Sequence, residues 1–149
     1  MIERIVSGGE TGVDRAALDV ALELGLACGG WCPRGRKAED QPIDARYLLK
    51  ETPSADYAQR TTWNVRDADA TLILSRGKLA GGTAQTLEAA RRLGKPYRVV
   101  DLSRPTRAST VQAWIRVNAV KVLNVAGPRE STCPGIYSQA AQFLRLVLS

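Results

Sequence analysis

Short apolar runs alternate with amphipathic stretches along the whole sequence, and this alternation restricts the fold more than any other feature. Arg4 to Ser7 is a β-branched run that stops at two glycines, and apolar residues then recur at helical spacing from Asp14 to Leu24. The same order continues along the chain. Further strands are predicted at 26–31, 70–74, 97–102 and 121–125, and further helices at 55–68, 81–93, 109–117 and 134–148. Only the polar segment 38–53 has no clear period.

The alternation predicts an α/β fold, a Rossmann-like three-layer sandwich. The run 70–74 is apolar without alternation, which is typical of a strand covered on both faces. Right-handed helical crossovers between such strands give a mostly parallel central sheet with helices on both faces. A length of 149 residues with 44% hydrophobic content suits one globular core, so residues 1–149 are predicted to form a single domain.

Four glycine-containing loops follow the predicted strands. They are Ser7 to Gly12, Gly29-Gly30, Gly81 to Thr83, and Ala126 to Arg129. The carboxyl ends of parallel strands meet at one edge of a sheet, where open α/β sheets bind ligands. Glycines allow close approach of the backbone, and the helix N-terminus that follows attracts phosphate. Neither the P-loop nor the G-x-G-x-x-G fingerprint is present, so the sequence predicts a phosphate site of another kind.

Several polar side chains fall beside these loops. Arg15 and Arg129 follow the first and last loops, Arg36 belongs to a basic turn after Gly29-Gly30, and Arg60 and Asn64 lie one helical turn apart. Asp14 is either a helix N-cap or a ligand contact. The residues predicted to bind the ligand are Gly8, Gly9, Thr11, Gly12, Arg15, Arg36, Arg60, Asn64, Gly81, Gly82, Thr83, Gly127 and Arg129.

Composition limits the classes of function. The net charge of +6 favours an anionic partner, and the sparse aromatic residues do not interleave with basic ones as single-stranded nucleic acid would require, so a small phosphate compound is expected rather than nucleic acid. With no histidine and three cysteines, we expect no metal site formed by protein ligands, and no catalytic residue is assigned. Cys28 and Cys32 are interpreted as small buried residues. No signal peptide or membrane span is evident, which predicts a cytoplasmic protein without membrane contact.

The longer motifs resemble the molybdenum carrier family. They are SGGETGVDRAALD from Ser7, GGWCPRGRKAED from Gly29, Y-x-x-RT-x-x-NV from Tyr57, GGT from Gly81 and LNVAGPR from Leu123. The resemblance covers nearly the whole chain and implies a Rossmann-like, circularly permuted member of the YpsA-like SLOG superfamily. It further implies a homo-oligomer, dimer or tetramer, that binds molybdenum cofactor (molybdopterin, a phosphorylated pterin) as a carrier or storage protein, with molybdoenzymes as recipients.

Two other functions use the same predicted pocket. The distant relation to phosphoribohydrolases suggests cleavage of nucleoside monophosphates, with Glu88 or Asp14 helping to polarise the glycosidic bond. Glu88 has an alternative role as an exposed helix residue. A sensor of a nucleotide-derived ligand is the third interpretation, and the sequence does not separate it from the first two.

Overall fold

The computed structural model describes residues 1–149 and contains five α-helices and two β-sheets. The strands are β1 (Arg4–Val6), β2 (Ala27–Gly29), β3 (Trp31–Cys32), β4 (Lys50–Glu51), β5 (Ala70–Ser75), β6 (Tyr97–Asp101) and β7 (Val122–Ala126). The helices are α1 (Val13–Glu23), α2 (Tyr57–Asp67), α3 (Gly81–Arg92), α4 (Ala108–Val117) and α5 (Ile136–Leu148).

The main sheet has five strands in the order β2-β1-β7-β5-β6, and every neighbouring pair is parallel. Strand β7 is last in the chain, yet it lies between β1 and β5. The chain steps outward from β1 to β2 on one side and from β5 to β6 on the other, and β7 then fills the position between β1 and β5. This is the topological switch point at which open α/β sheets form a crevice. The predicted Rossmann-like α/β fold is confirmed.

Helices cover both faces of this sheet. On one face α5 packs against α1 and α4, and on the other α2 packs against α3. Leu72 and Leu74 of β5 face the α1–α5–α4 layer and are fully buried, so truncating either to alanine should destabilise the fold by about 2–5 kcal/mol. The alternate positions include Thr71, which accepts a hydrogen bond from Asn124 of β7. The side of the sheet under α2 and α3 is thus partly polar.

The structure differs from the predicted elements at β2–β3, at β4 and at the starts of two helices, of which α2 begins at Tyr57 and not at 55. The run 26–31 is two strands rather than one, because Gly30 (φ 125°) turns the chain out of the main sheet and into a small parallel pair of β3 with β4. The second strand of that pair lies within the segment for which no period was found. The last helix begins at Ile136 and not at 134, since Gly135 before it is left-handed (φ 87°). None of the five helices is both long and apolar enough to span a membrane.

Candidate functional site

A cleft of about 640 Å³ opens at the carboxyl ends of β1, β7 and β5. Its wall is mainly polar and includes three of the four predicted glycine loops. The predicted residues that line it are Gly8, Arg60, Asn64, Gly81, Gly82, Thr83, Gly127 and Arg129. The predicted residues outside its wall are Gly9, Thr11, Gly12, Arg15 and Arg36.

The N-terminus of α3 opens into the cleft. The amides of Gly82 and Thr83 have no backbone acceptor, as expected for the first turn of a helix. A side chain placed on Gly81 or Gly82 would meet no other part of the protein, and Gly81, Gly82 and Thr83 all line the cleft. Lys78 also lines this part of the cleft. Amide donors, the helix dipole and a cation together favour a phosphate group here.

The N-terminus of α1 is closed by the protein itself. The amide of Val13 donates to the carbonyl of Pro128 (3.3 Å), and the amide of Arg15 donates to the carbonyl of Glu10 (3.0 Å). Gly12 has a φ of 79°, and a side chain there would overlap the Pro128 carbonyl oxygen. The glycine at position 12 therefore allows the first and last loops to meet, and the phosphate position predicted beside it is occupied by main chain.

Thr11 and Arg15 fasten the first loop to the segment that follows β3. The Thr11 hydroxyl donates to the carboxylate of Glu39 and accepts from the amide of Glu130. The guanidinium of Arg15 donates to the Gly9 carbonyl at 2.9 Å and 3.0 Å and forms a two-bond pair with Asp40. Thr11 and Arg15, which were predicted to bind the ligand, thus make their hydrogen bonds to other parts of the protein.

Arg36 organises the segment whose fold the sequence left open. Its guanidinium donates to four main-chain carbonyls, at 2.8–3.3 Å. Those carbonyls belong to Ile43, Asp44, Tyr47 and Leu49. The side chains of three of these residues also pack in a small apolar cluster, which consists of Leu18, Cys32, Ile43, Tyr47 and Leu49. Arg36 was predicted to bind an anion, but its guanidinium is engaged by these main-chain carbonyls and lies outside the wall of the cleft.

Arg60 and Asn64 project from the buried face of α2 towards the loops after β1 and β2. Arg60 donates to the Gly8 carbonyl (3.0 Å). The amide group of Asn64 donates to the carbonyl of Trp31 and accepts from its amide, at 2.9 Å and 2.8 Å. The two residues line the cleft and also hold the loops that form it.

Asp14 is a cleft residue whose charge state is unusual. It belongs to the first turn of α1, where Gly12 is the N-cap, and its Oδ2 accepts the Glu10 amide (3.3 Å) and lies 3.6 Å from Arg60 Nη1. Burial raises the pKa of Asp14 from 3.8 to about 6, against the opposing effect of the Arg60 charge. The carboxyl therefore changes from its neutral to its charged form near pH 6.

Glu10 is the second carboxylate of the cleft, and it was not among the predicted site residues. Only 4% of the residue is exposed, and its Oε2 lies 3.6 Å from Arg129 Nη2. Tyr57 lies next to both groups. Burial raises the pKa of Tyr57, and the negative charge of Glu10 raises it further. A glutamate beside a glycine loop gives no sequence signal that it will be buried, so only the fold reveals this group.

Comparisons with known proteins give the family and a similar fold. A family model described as the circularly permutated YpsA SLOG family matches residues 5–148. The chain is also similar to the crystal structure, at 1.45 Å resolution, of a "putative molybdenum carrier protein" from Syntrophus aciditrophicus SB. The two share 42% identity over 99% of this chain and 96% of that chain, with a TM-score of 0.97. No match was found among curated proteins.

Proposed function

The chain belongs to the circularly permuted YpsA SLOG family, and from that premise we propose that it binds molybdenum cofactor, a phosphorylated pterin that holds molybdenum, as a carrier or storage protein. The observation that carries the proposal is the open N-terminus of α3 in a polar cleft of about 640 Å³. A cleft of this size suits a small organic ligand. The similar crystal structure, named for a molybdenum carrier, supports the choice of cargo.

The residues of the cleft fit the chemical groups of such a cargo. The amides of Gly82 and Thr83, with Lys78, would hold the terminal phosphate. Arg129, Glu10 and Asp14 supply donors and acceptors that suit a polar heterocycle. The cargo would bring its own metal, and the role of the protein's residues is to bind it and to restrict its contact with water. Gly8, Gly12, Arg15 and Arg60 would act indirectly by keeping the loops in place.

A charge placed at the N-terminus of α3 tests the proposal. Gly82 has open space around it and no left-handed φ, so Gly82→Glu should fold normally while its carboxylate repels the phosphate. Gln85→Glu adds the same charge to an exposed position of the same helix and is the matched control. Cofactor released anaerobically from a molybdoenzyme should co-elute with the wild type and with Gln85→Glu on gel filtration, and its pterin fluorescence should be missing from Gly82→Glu. Equal loading of all three would contradict this placement of the phosphate.

Hydrolysis of nucleoside monophosphates is a second candidate, and the state of Asp14 favours it. A carboxyl with a pKa near 6 that lines the cleft could donate a proton to a leaving base. Glu88, the other sequence candidate, is exposed on α3 and is not part of the cleft wall. Release of free base from a nucleotide panel, lost in Asp14→Asn and retained in Glu88→Gln, would support the hydrolase. Binding of a nucleotide without turnover would favour the sensor instead.

A further inference from the structure

Oxygen Oε2 of Glu10 and the guanidinium of Arg129 lie side by side on one wall of the cleft, carry opposite charges and make no hydrogen bond. Glu10 Oε1 accepts the amides of Thr11 and Glu39, each at 2.9 Å, which fixes the carboxylate in place. Glu10 Oε2 is buried and accepts no hydrogen bond of good geometry, although Tyr57 lies close enough to the carboxylate for Glu10 to raise the pKa of its hydroxyl. A buried acceptor without a donor costs free energy, so a ligand that donates to Oε2 would recover it.

Arg129 covers this oxygen. Its guanidinium nitrogens lie 3.6 Å from Glu10 and 4.0 Å from Glu39, which are ionic contacts longer than hydrogen bonds. The carbon Cζ lies 5.3 Å from the centre of the Tyr57 ring, and 37% of the Arg129 side chain is exposed. The guanidinium can therefore turn from its position over Oε2 towards a ligand in the cleft.

The place of this pair along the sheet edge also matters. Glu10 follows β1 and the phosphate position precedes α3, which follows β5, and β7 lies between these strands. Strands are about 4.8 Å apart, so the two groups are separated by roughly 10 Å along the edge. A fused-ring heterocycle that carries a terminal phosphate can span both.

We propose that Glu10 and Arg129 together recognise a lactam edge of the bound heterocycle, the ring N–H donating to Glu10 Oε2 and the adjacent carbonyl oxygen accepting from Arg129. In a pterin this edge is N3–H beside the 4-oxo group, and guanine has the same pair. Because Oε1 already accepts hydrogen bonds from two amides, Oε2 is the oxygen that is available to accept one from the ring N–H. The inference rests on the proposed function for the position of the phosphate and deepens it by naming the chemistry of the heterocycle.

N-methylation of the lactam tests this recognition. Calorimetric titrations of the full chain would use neopterin monophosphate and its 3-methyl form, and guanosine monophosphate and its 1-methyl form. Since a hydrogen bond to a charged group is removed, methylation should weaken binding to the wild type by about tenfold or more. We call the Kd of the methylated ligand divided by that of the unmethylated ligand the methylation ratio. In Glu10→Gln the amide oxygen must stay with the two backbone amides, so the NH₂ group faces the ligand. The methylation ratio should then fall to about one. The control Glu3→Gln, at an exposed position, should keep the wild-type ratio.

The outcomes separate this inference from the proposed function. Pterin binding with a methylation ratio near one in the wild type, or with the same large ratio in Glu10→Gln, would overturn the lactam contact and leave the carrier proposal standing. A large ratio for guanosine monophosphate with no binding of the pterin would support the lactam contact and contradict the carrier. Binding of neither compound would overturn both. If Glu10→Gln fails to fold, a ratio near one in the wild type still overturns the inference, and Glu10→Asp, which retains the charge but shortens the side chain, should then lower the ratio.

Discussion

Replacing Asp14 by asparagine should change how the stability of the protein depends on pH. The carboxyl of Asp14 is buried under the first loop, beside Arg60, Glu10 and Arg15, and burial raises its pKa from 3.8 to about 6. The folded state therefore holds this proton more tightly than the unfolded state. The stabilisation is fully present below pH 3.8 and is lost as the pH rises through about 6.

The size of the effect follows from the two pKa values. At about 1.4 kcal/mol per pH unit, the change from 3.8 to about 6 amounts to roughly 3 kcal/mol of unfolding free energy between pH 3.8 and neutrality. Asparagine keeps one acceptor for the Glu10 amide but does not titrate. Any difference in stability between the two proteins that does not change with pH cancels from the slope, so the prediction concerns the pH dependence and not the absolute stability.

Urea denaturation of the wild type and Asp14→Asn at pH values from 4.5 to 8 measures that slope. The wild-type unfolding free energy should fall relative to the variant by about 2 kcal/mol over this range, most steeply near pH 5, between the two pKa values, and it should level off above about pH 7. Asp56→Asn, which removes an exposed carboxylate at the start of α2, is the control and should not flatten the profile. Parallel profiles for the wild type and Asp14→Asn would refute the reasoning.

Three further predictions test other contacts. Gly127→Ala should destabilise the fold by about 3 kcal/mol in thermal unfolding, because the new Cβ overlaps the Leu74 carbonyl, whereas Gly25→Ala meets no atom and should cost about 1 kcal/mol for its left-handed backbone; equal losses would contradict this. Arg36→Met should lower the unfolding free energy by about 3 kcal/mol and accelerate amide exchange in the segment 38–49, since four carbonyls lose their donor; unchanged exchange would show that the segment is held by other contacts. Inorganic phosphate should displace the pterin from the wild type and from Gln85→Glu, and in direct calorimetric titration it should bind both of these but not Gly82→Glu; equal phosphate binding by all three would exclude the α3 terminus as its site.

Most of the fold could be predicted from local pattern. The run 70–74 and the helix 81–93 agree with β5 and α3 to within a residue, because apolar periodicity and flanking glycines are local properties of the chain. The segment 38–53 was not predictable for the opposite reason. It is held by Arg36, which donates to carbonyls 7 to 13 residues away, and by Glu39, whose partners Thr11 and Ser131 lie 28 and 92 residues away. Such contacts leave no periodic signal.

The candidate site was predictable in its place and only partly in its residues. Glycines after successive strands indicated the correct edge of the sheet, and the cleft lies there. The sequence does not distinguish a cation that faces the cleft, such as Arg129, from one that is hydrogen-bonded to main-chain carbonyls, such as Arg36. It also could not identify Glu10 and Asp14 as buried carboxylates of the cleft, because their burial depends on how the first and last loops meet at Gly12.

The most direct test of the central claim is to identify what co-purifies with the protein from cells supplied with molybdate. Gentle denaturation would release the ligand for mass spectrometry, pterin fluorescence and metal analysis. The proposal predicts a phosphorylated pterin together with molybdenum, near one equivalent of each per chain. A nucleotide without molybdenum, or molybdate without a pterin, would contradict it.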